Sequence, residues 1–315
     1  MRFTDSPYIM GSRAPKPSYI TLPSLDDPLP RLLDFFDRHF PRVGRDIWLN
    51  RFQMGLICDE KGKRVDESTA YRRNARLSYY RELKAEPRIP FQEQIIYQDE
   101  HILLADKPHF LPVTPSGKAI NECLLYRLVG RTGNHQLAPL HRLDRDTAGL
   151  VLFSKTPATR KFYSALFSEG NIVKQYEAVA SLPTPCDKKE WLIESRIEAS
   201  GEWILNHNVA GEINARSRLV MLESDALRAR FSLFPLTGKT HQLRLHMGLI
   251  GAQILHDPFY PLLQPERALG DYAKPLQLLA KSLSFTDPLS GKIQQFESQR
   301  CLLMWSSLSE CLEGC

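Results

Sequence analysis

No stretch of the chain approaches the 18 consecutive apolar residues that a membrane-spanning helix requires. Its first ten residues, MRFTDSPYIM, show neither the basic segment nor the apolar run of a secretory leader. Cysteine is sparse. The six (Cys58, Cys123, Cys186, Cys301, Cys311 and Cys315) are scattered, with no CxxC pair and no histidine at zinc-ligand spacing. That pattern argues against a disulfide framework and a structural zinc site, and for a reducing compartment. There is no internal repeat, and biased composition is confined to the first thirty residues. The expectation is a cytoplasmic globular chain. Its 315 residues are 43% hydrophobic and 24% charged, which is unlike a disordered segment. The length suits one large domain or two ordinary ones.

Net charge is also small, +5 from 41 Lys+Arg and 36 Asp+Glu. It is unevenly placed. Residues 1–90 hold 17 basic and 12 acidic side chains, and residues 91–315 hold 24 of each. Seven basic residues (Lys61, Lys63, Arg64, Arg72, Arg73, Arg76 and Arg81) fall within 61–81 against Asp66 and Glu67. Such a stretch is either a polyanion-binding surface or a solvated helix face, and charge alone does not choose between them.

Composition and periodicity divide the chain. Residues 1–30 carry Pro7, Pro15, Pro17, Pro23, Pro28 and Pro30, which suits an extended arm. Residues 31–90 read as a small module. Leu32, Leu33, Phe35, Phe36 and Phe40 form one helical stripe stopped by Pro41. Ile47, Trp48, Phe52 and Leu56 mark a second helix over 44–55, and DEKGKRVDES follows as a turn with Gly62 at its tip. Pro87 and Pro90 form a boundary. From residue 91 strands dominate. IIYQDEHILLADKP reads as strand, turn, strand; GLVLFS, KQYEAVA and RARFSLFPL read as strands. TPATRKFYSALFSEG reads as a helix capped by Thr156, with Phe162 and Leu166 stacked four apart and Gly170 at its end. THQLRLHMGLIG reads as a helix opened by Thr240.

Three segments concentrate functional residue types at strand ends or helix starts: HRLDRDTAGLVLFSK (141–155), KQYEAV (174–179) and PLTGKTHQLRLHMGLIGAQILHDPFY (235–260). HRLDRDTAGLVLF resembles the catalytic motif of the RluA family of pseudouridine synthases. DKPHFLPVTPSG (106–117) is similar to that family's upstream strand and loop, LTGKTHQLRLHMGLIGAQILHDPFY to its arginine-bearing motif, and LAKSLSFTDPLSG (279–291) to its C-terminal strand and turn. Four motifs in family order, from about Ile95 to Phe296, cover some two thirds of the chain.

The resemblance implies an α+β pseudouridine synthase fold at 91–315, with a mixed, largely antiparallel sheet, flanking helices and a catalytic cleft. It also implies an isomerase acting on uridine in ribosomal RNA or tRNA. Such an enzyme breaks the bond from uracil nitrogen 1 to the ribose, rotates the base and rejoins it through carbon 5. The expected protein is a monomer that needs no cofactor or metal and binds RNA but no membrane. Asp144 is the implied catalytic carboxylate, with Asp146 its rival on the residues alone. Arg244 is the implied ion-pair partner, since a guanidinium can aim a carboxylate in a site where desolvation opposes its charge. Tyr176 of KQY is the implied stacking residue, because stacking tolerates rotation of the base. Arg142 is suited to hold or replace a flipped nucleotide. His141, Lys174, Lys239 and His241 follow as substrate contacts, and Leu245 as an apolar wall.

Ala148, Lys239 and His256 depart from the family's usual Ser, Arg and Gly. The module at 31–90 is a degenerate likeness of the helical RNA-binding module that many members carry, and Arg72, Arg73 and Arg76 are its candidate RNA contacts. Two other readings compete. One is a catalytically silent RNA-binding protein on the same fold; the other is a hydrolase using Asp144 and His141, which lacks a nucleophile elbow or metal triad.

Overall fold

The computed structural model describes residues 8–26, 29–41, 43–117, 119–181, 187–201, 205–268 and 270–305. They fall into two compact units. Met1–Pro87 with Ser116–Asn121 form the first, and Arg88–Pro115 with Glu122–Cys315 the second.

The first unit is built around the aromatic stripe. Helix α1 (Leu32–His39) and helix α2 (Arg45–Gln53) bury Leu32, Leu33, Phe35, Phe36, Trp48 and Phe52 against one another. Phe36 lies at the centre, its ring 4.4 Å from that of Trp48 and 5.7 Å from that of Phe52. Such offset and edge contacts add to the area the rings remove from water. The proline-rich N-terminal segment is not a free arm. Residues Tyr8–Arg13 form strand β1, which pairs with β5 (Glu82–Pro87). Residues Ser18–Thr21 form β2, which joins β4 (Arg76–Tyr79) and β3 (Ile57–Cys58) in a three-stranded sheet. Pro15 and Pro17 lie between β1 and β2, where a missing N–H costs no ladder bond. Leu22, just after β2, is fully buried. Gly62 has φ +75° at the tip of the lysine-rich turn, which Asp59 closes by accepting the N–H groups of Lys61 and Lys63, each at 2.9 Å.

The second unit carries a large mixed sheet. Its strands are β6 (Gln94–Gln98), β7 (Ile102–Lys107), β8 (Ala138–Pro139), β9 (Ala148–Ser154), β10 (Ile172–Ser181), β11 (Glu190–Ala199), β12 (Asn206–Val209), β13 (Ala215–Ser224), β14 (Arg228–Pro235), β15 (Gln253–Ile254), β16 (Leu278–Thr286) and β17 (Ile293–Glu297). The main path runs β12-β11-β13-β14-β10-β16-β9-β7-β6. Among the described residues every pairing in this sheet is antiparallel except β16 with β9. Three helices flank it, α3 (Leu124–Thr132), α4 (Pro157–Ser168) and α5 (Gln242–Leu249). Ala178 and Ala180 of β10, Phe231 and Leu233 of β14, and Leu243 and Met247 of α5 share one core; β7, β9 and α3 bury another. This is the α+β architecture expected from the sequence.

Two more local expectations fail. In α4 the buried residues are Tyr163 and Leu166, while Phe162 is 42% exposed. Tyr163 takes the place expected of Phe162 beside Leu166, and it donates from its hydroxyl to Asp287 Oδ2 at 2.7 Å in the interior. Cys301 is disulfide-bonded, which sequence spacing could not indicate because spatial proximity of cysteines is set by the fold; Cys58 and Cys123 are thiols.

Gly149 is required where β9 meets β16. Its φ is +111°, and a Cβ there would lie 2.3 Å from the Ala280 carbonyl oxygen. Gly149→Ala is therefore expected to lower stability by about 3 kcal/mol, through strain at positive φ plus a backbone clash. A urea unfolding midpoint measures it, and an unchanged midpoint would contradict the close approach.

Candidate active site

The loop between β8 and β9 carries HRLDRDT, and the structure ties it down from several sides. The Leu140 N–H donates to the Leu152 carbonyl at 2.9 Å, and the Leu152 N–H donates to His141 Nε2 at 3.0 Å. His109 Nδ1 donates to the Asp146 carbonyl at 2.7 Å. Lys107 is fully buried at the end of β7. Its ammonium donates to the carbonyls of Pro108 (3.0 Å), Leu111 (2.7 Å) and Arg145 (3.0 Å). Burial pushes Lys107 down to about 7, and the nearby Asp146 and Asp144 charges act against that shift.

Asp144 is presented at the end of this scaffold with its side chain 30% exposed. Its Oδ2 accepts from Arg244 Nη1 at 3.1 Å, and His241 Nε2 lies 3.8 Å from the same oxygen. Among the described residues no donor reaches Oδ1, so one carboxylate oxygen is held and the other is open. The rival, Asp146, is buried, with Oδ1 unpaired and Oδ2 only 3.4 Å from the Arg145 guanidinium. It lies inside the loop rather than at its mouth.

Arg244 is on α5, and its side chain is 1% exposed. It is not a surface helix arginine. Nε donates to Asp257 Oδ2 at 2.8 Å, Nη2 donates to Asp257 Oδ1, and Nη1 is left for Asp144. Asp257 is fixed in turn by the N–H groups of Phe259 (2.8 Å) and Tyr260 (3.1 Å). The guanidinium carbon lies 4.7 Å from the Phe259 ring centroid and 5.3 Å from that of Tyr260. Burial by itself would lower the Arg244 pKa; hydrogen bonds and charge from Asp257, then Asp144, outweigh it and hold the group above its ordinary value. One arginine thus joins a buried carboxylate to a solvent-facing one.

The other expected residues divide by position. Tyr176 stands on β10 at a bulge in its pairing with β16, packed against both large cores. Burial, reinforced by the Asp144 charge, raises its phenol, so the hydroxyl stays protonated. His241 precedes α5 in a left-handed conformation, φ +58°, so the helix opens at Gln242 rather than at Thr240. Leu245 packs with Ile197, Ala215 and Tyr260, and with Phe259 and Tyr260 it borders a cavity of about 770 Å³.

Lys174 is half-buried with Nζ 3.4 Å from the Thr237 carbonyl; Lys239 and Arg142 are exposed. His141 braces the loop against β9. Its ring stacks on Phe167 at 4.7 Å, its Nε2 accepts from β9, and burial, with Lys174 adding, pushes its pKa down to about 3. Arg72, Arg73 and Arg76 are exposed on the first unit, and Arg76 lies over the Tyr19 ring at 4.7 Å.

Asp257, Tyr260 and Lys107 were not singled out from the sequence. The DPFY signal for Asp257 was visible, an aspartate followed by residues whose N–H groups can cap its own side chain. A buried lysine has no such local mark. Among the described residues no group of His, Cys, Asp and Glu is arranged to hold a metal ion, and no helix is long and apolar enough to cross a membrane.

Residues 101–248 match the family model described as RNA pseudouridylate synthase. The chain is 31% identical over 220 residues to the dual-specificity RNA pseudouridine synthase RluA of Salmonella typhi, covering 64% of this chain and 91% of that protein. It is 29% identical over 233 residues to an uncharacterized RNA pseudouridine synthase of Synechocystis sp., covering 73% and 79%. Among solved structures, human RNA pseudouridylate synthase domain containing 1 shares the fold with a TM-score of 0.53 at 21% identity, covering 67% of this chain and 85% of that one. The chain belongs to the RluA-type family of RNA pseudouridine synthases, isomerases that convert uridine to pseudouridine in RNA.

Proposed function

We propose that this enzyme isomerises specific uridines in ribosomal RNA or tRNA with Asp144 as the catalytic carboxylate. One observation carries the reading: Arg244 holds Asp144 Oδ2, the side chain is 30% exposed, and no described residue donates to Oδ1. A guanidinium whose other edge is locked to Asp257 cannot swing away. It keeps Asp144 aimed and favours its ionised form as RNA excludes water. The ionised group acts at the ribose, as nucleophile or base, while the bond to nitrogen 1 breaks. Tyr176 stacks on the freed uracil through its turn, and Leu245 forms the apolar wall behind it. Arg142, exposed on the same loop, fills or holds the space left by the flipped nucleotide.

The test is release of tritium from carbon 5 of labelled uridine in separate ribosomal and transfer RNA pools. Release from at least one pool is expected with purified protein alone, and release from neither would overturn the reading. The exposed arginines of the first unit are proposed as phosphate contacts. Replacing Arg72, Arg73 and Arg76 with Ala is expected to lower the salt slope of RNA binding by about three, one for each lost contact. An unchanged slope would make that stretch a solvated face.

A further inference from the structure

Asn206, at the start of β12, turns both its backbone groups toward one oxygen. Its N–H donates to Tyr260 Oη at 2.9 Å, and Tyr260 Oη donates to its carbonyl at 2.9 Å. A phenol has one proton, and here it lies on Asn206. His241 Nδ1 is 2.9 Å from the same Oη. It must therefore be the donor, and the neutral imidazole carries its proton on Nδ1. Nε2 is then a bare acceptor 3.8 Å from Asp144 Oδ2.

The ring is held there. Its backbone is left-handed, Asn206 Nδ2 grips the preceding Thr240 carbonyl at 3.1 Å, and the Phe259 ring lies 5.3 Å away. Burial keeps the imidazole below its ordinary pKa, outweighing the Asp144 charge that opposes this.

Resting on Asp144 as the residue acting at the ribose, we propose that His241 Nε2 is the base that removes the proton from carbon 5 of the rejoined uracil, and that Tyr260 is the positioning residue that fixes its tautomer. Once carbon 5 has bonded to the ribose it carries both the sugar and its original hydrogen. The carbon–hydrogen bond breaks and its electron pair forms the double bond to carbon 6. The carbon 6–nitrogen 1 double bond gives its pair to nitrogen 1, which takes up a proton. Nε2 receives the carbon 5 proton, and the imidazolium lies beside the Asp144 carboxylate until it passes that proton on. No oxidant, metal or co-reactant enters the balance.

The test compares RNA bearing hydrogen or deuterium at carbon 5 of uridine in single turnovers. His241→Asn keeps a donor toward Tyr260 but lacks Nε2. It is expected to bind RNA normally, to release the carbon 5 hydrogen about 10²–10⁴-fold more slowly, and to show a primary isotope effect that added imidazole relieves. A rate within about threefold of wild type, or slowing without an isotope effect, would overturn the proposal.

Tyr260→Phe supplies a second readout without altering His241. Nitrogen NMR should find the Nδ1–H tautomer in the wild type and a shift toward Nε2–H in the variant. An Nε2–H tautomer in the wild type would overturn the role of Tyr260. Asp144→Asn separates the two readings. Full activity in that variant removes Asp144 from the chemistry, whereas an inert Asp144→Asn beside a fully active His241→Asn removes only His241.

Discussion

Asp257→Ala is expected to destabilise the protein by about 3–5 kcal/mol and to abolish activity together with stability. Arg244 is 1% exposed, and Asp257 accepts from both its Nε and Nη2. Without that carboxylate the guanidinium keeps, among the described residues, only the Nη1 bond to Asp144, with most of its donors buried and unsatisfied. The N–H groups of Phe259 and Tyr260 lose their acceptor as well. Asp257→Asn should fall in between, since it keeps an acceptor and removes the charge. Urea unfolding measures the loss, and a change under about 1 kcal/mol for Asp257→Ala would contradict the anchoring role.

Asp144→Asn is expected to do the opposite. Its carboxylate is 30% exposed and makes one hydrogen bond to Arg244, which retains Asp257 as its partner. Stability should change by about 1 kcal/mol or less, since a partly exposed ion pair is screened by water. The turnover rate should fall on the order of 10⁴-fold or more, as when a nucleophile or its base is removed from a preorganised site. RNA affinity should be nearly unchanged, because most of it comes from phosphate contacts elsewhere. Of the two carboxylates on one arginine, one serves the fold and the other is proposed to serve the reaction.

What could be read from the sequence follows from how local each signal is. The α1 stripe, the strands at 94–107 and 228–235, and the Gly62 turn are written in neighbouring residues, and they form as periodicity and turn chemistry indicate. The Asp144–Arg244 pair spans a hundred residues, and only a family likeness could bring it together.

The role of Asp257 is not legible locally, because its partner is a buried arginine that helical spacing does not place in the interior. The N-terminal strands are masked by a proline density that suits an arm. Pro15 and Pro17 sit between strands, where they cost nothing, while the flanking residues pair with β4 and β5. His141 looked like a site residue by its motif, yet its acceptor nitrogen serves the β9 backbone.

Asp144 is proposed to perform the chemistry on bound RNA. The most direct measurement is a single-turnover assay with protein in excess over RNA labelled with tritium at carbon 5 of uridine, with binding and release followed in the same samples. Asp144→Asn should bind the RNA as the wild type does and release no tritium beyond background. Release at a rate near that of the wild type, from equally bound RNA, would remove Asp144 from the chemistry.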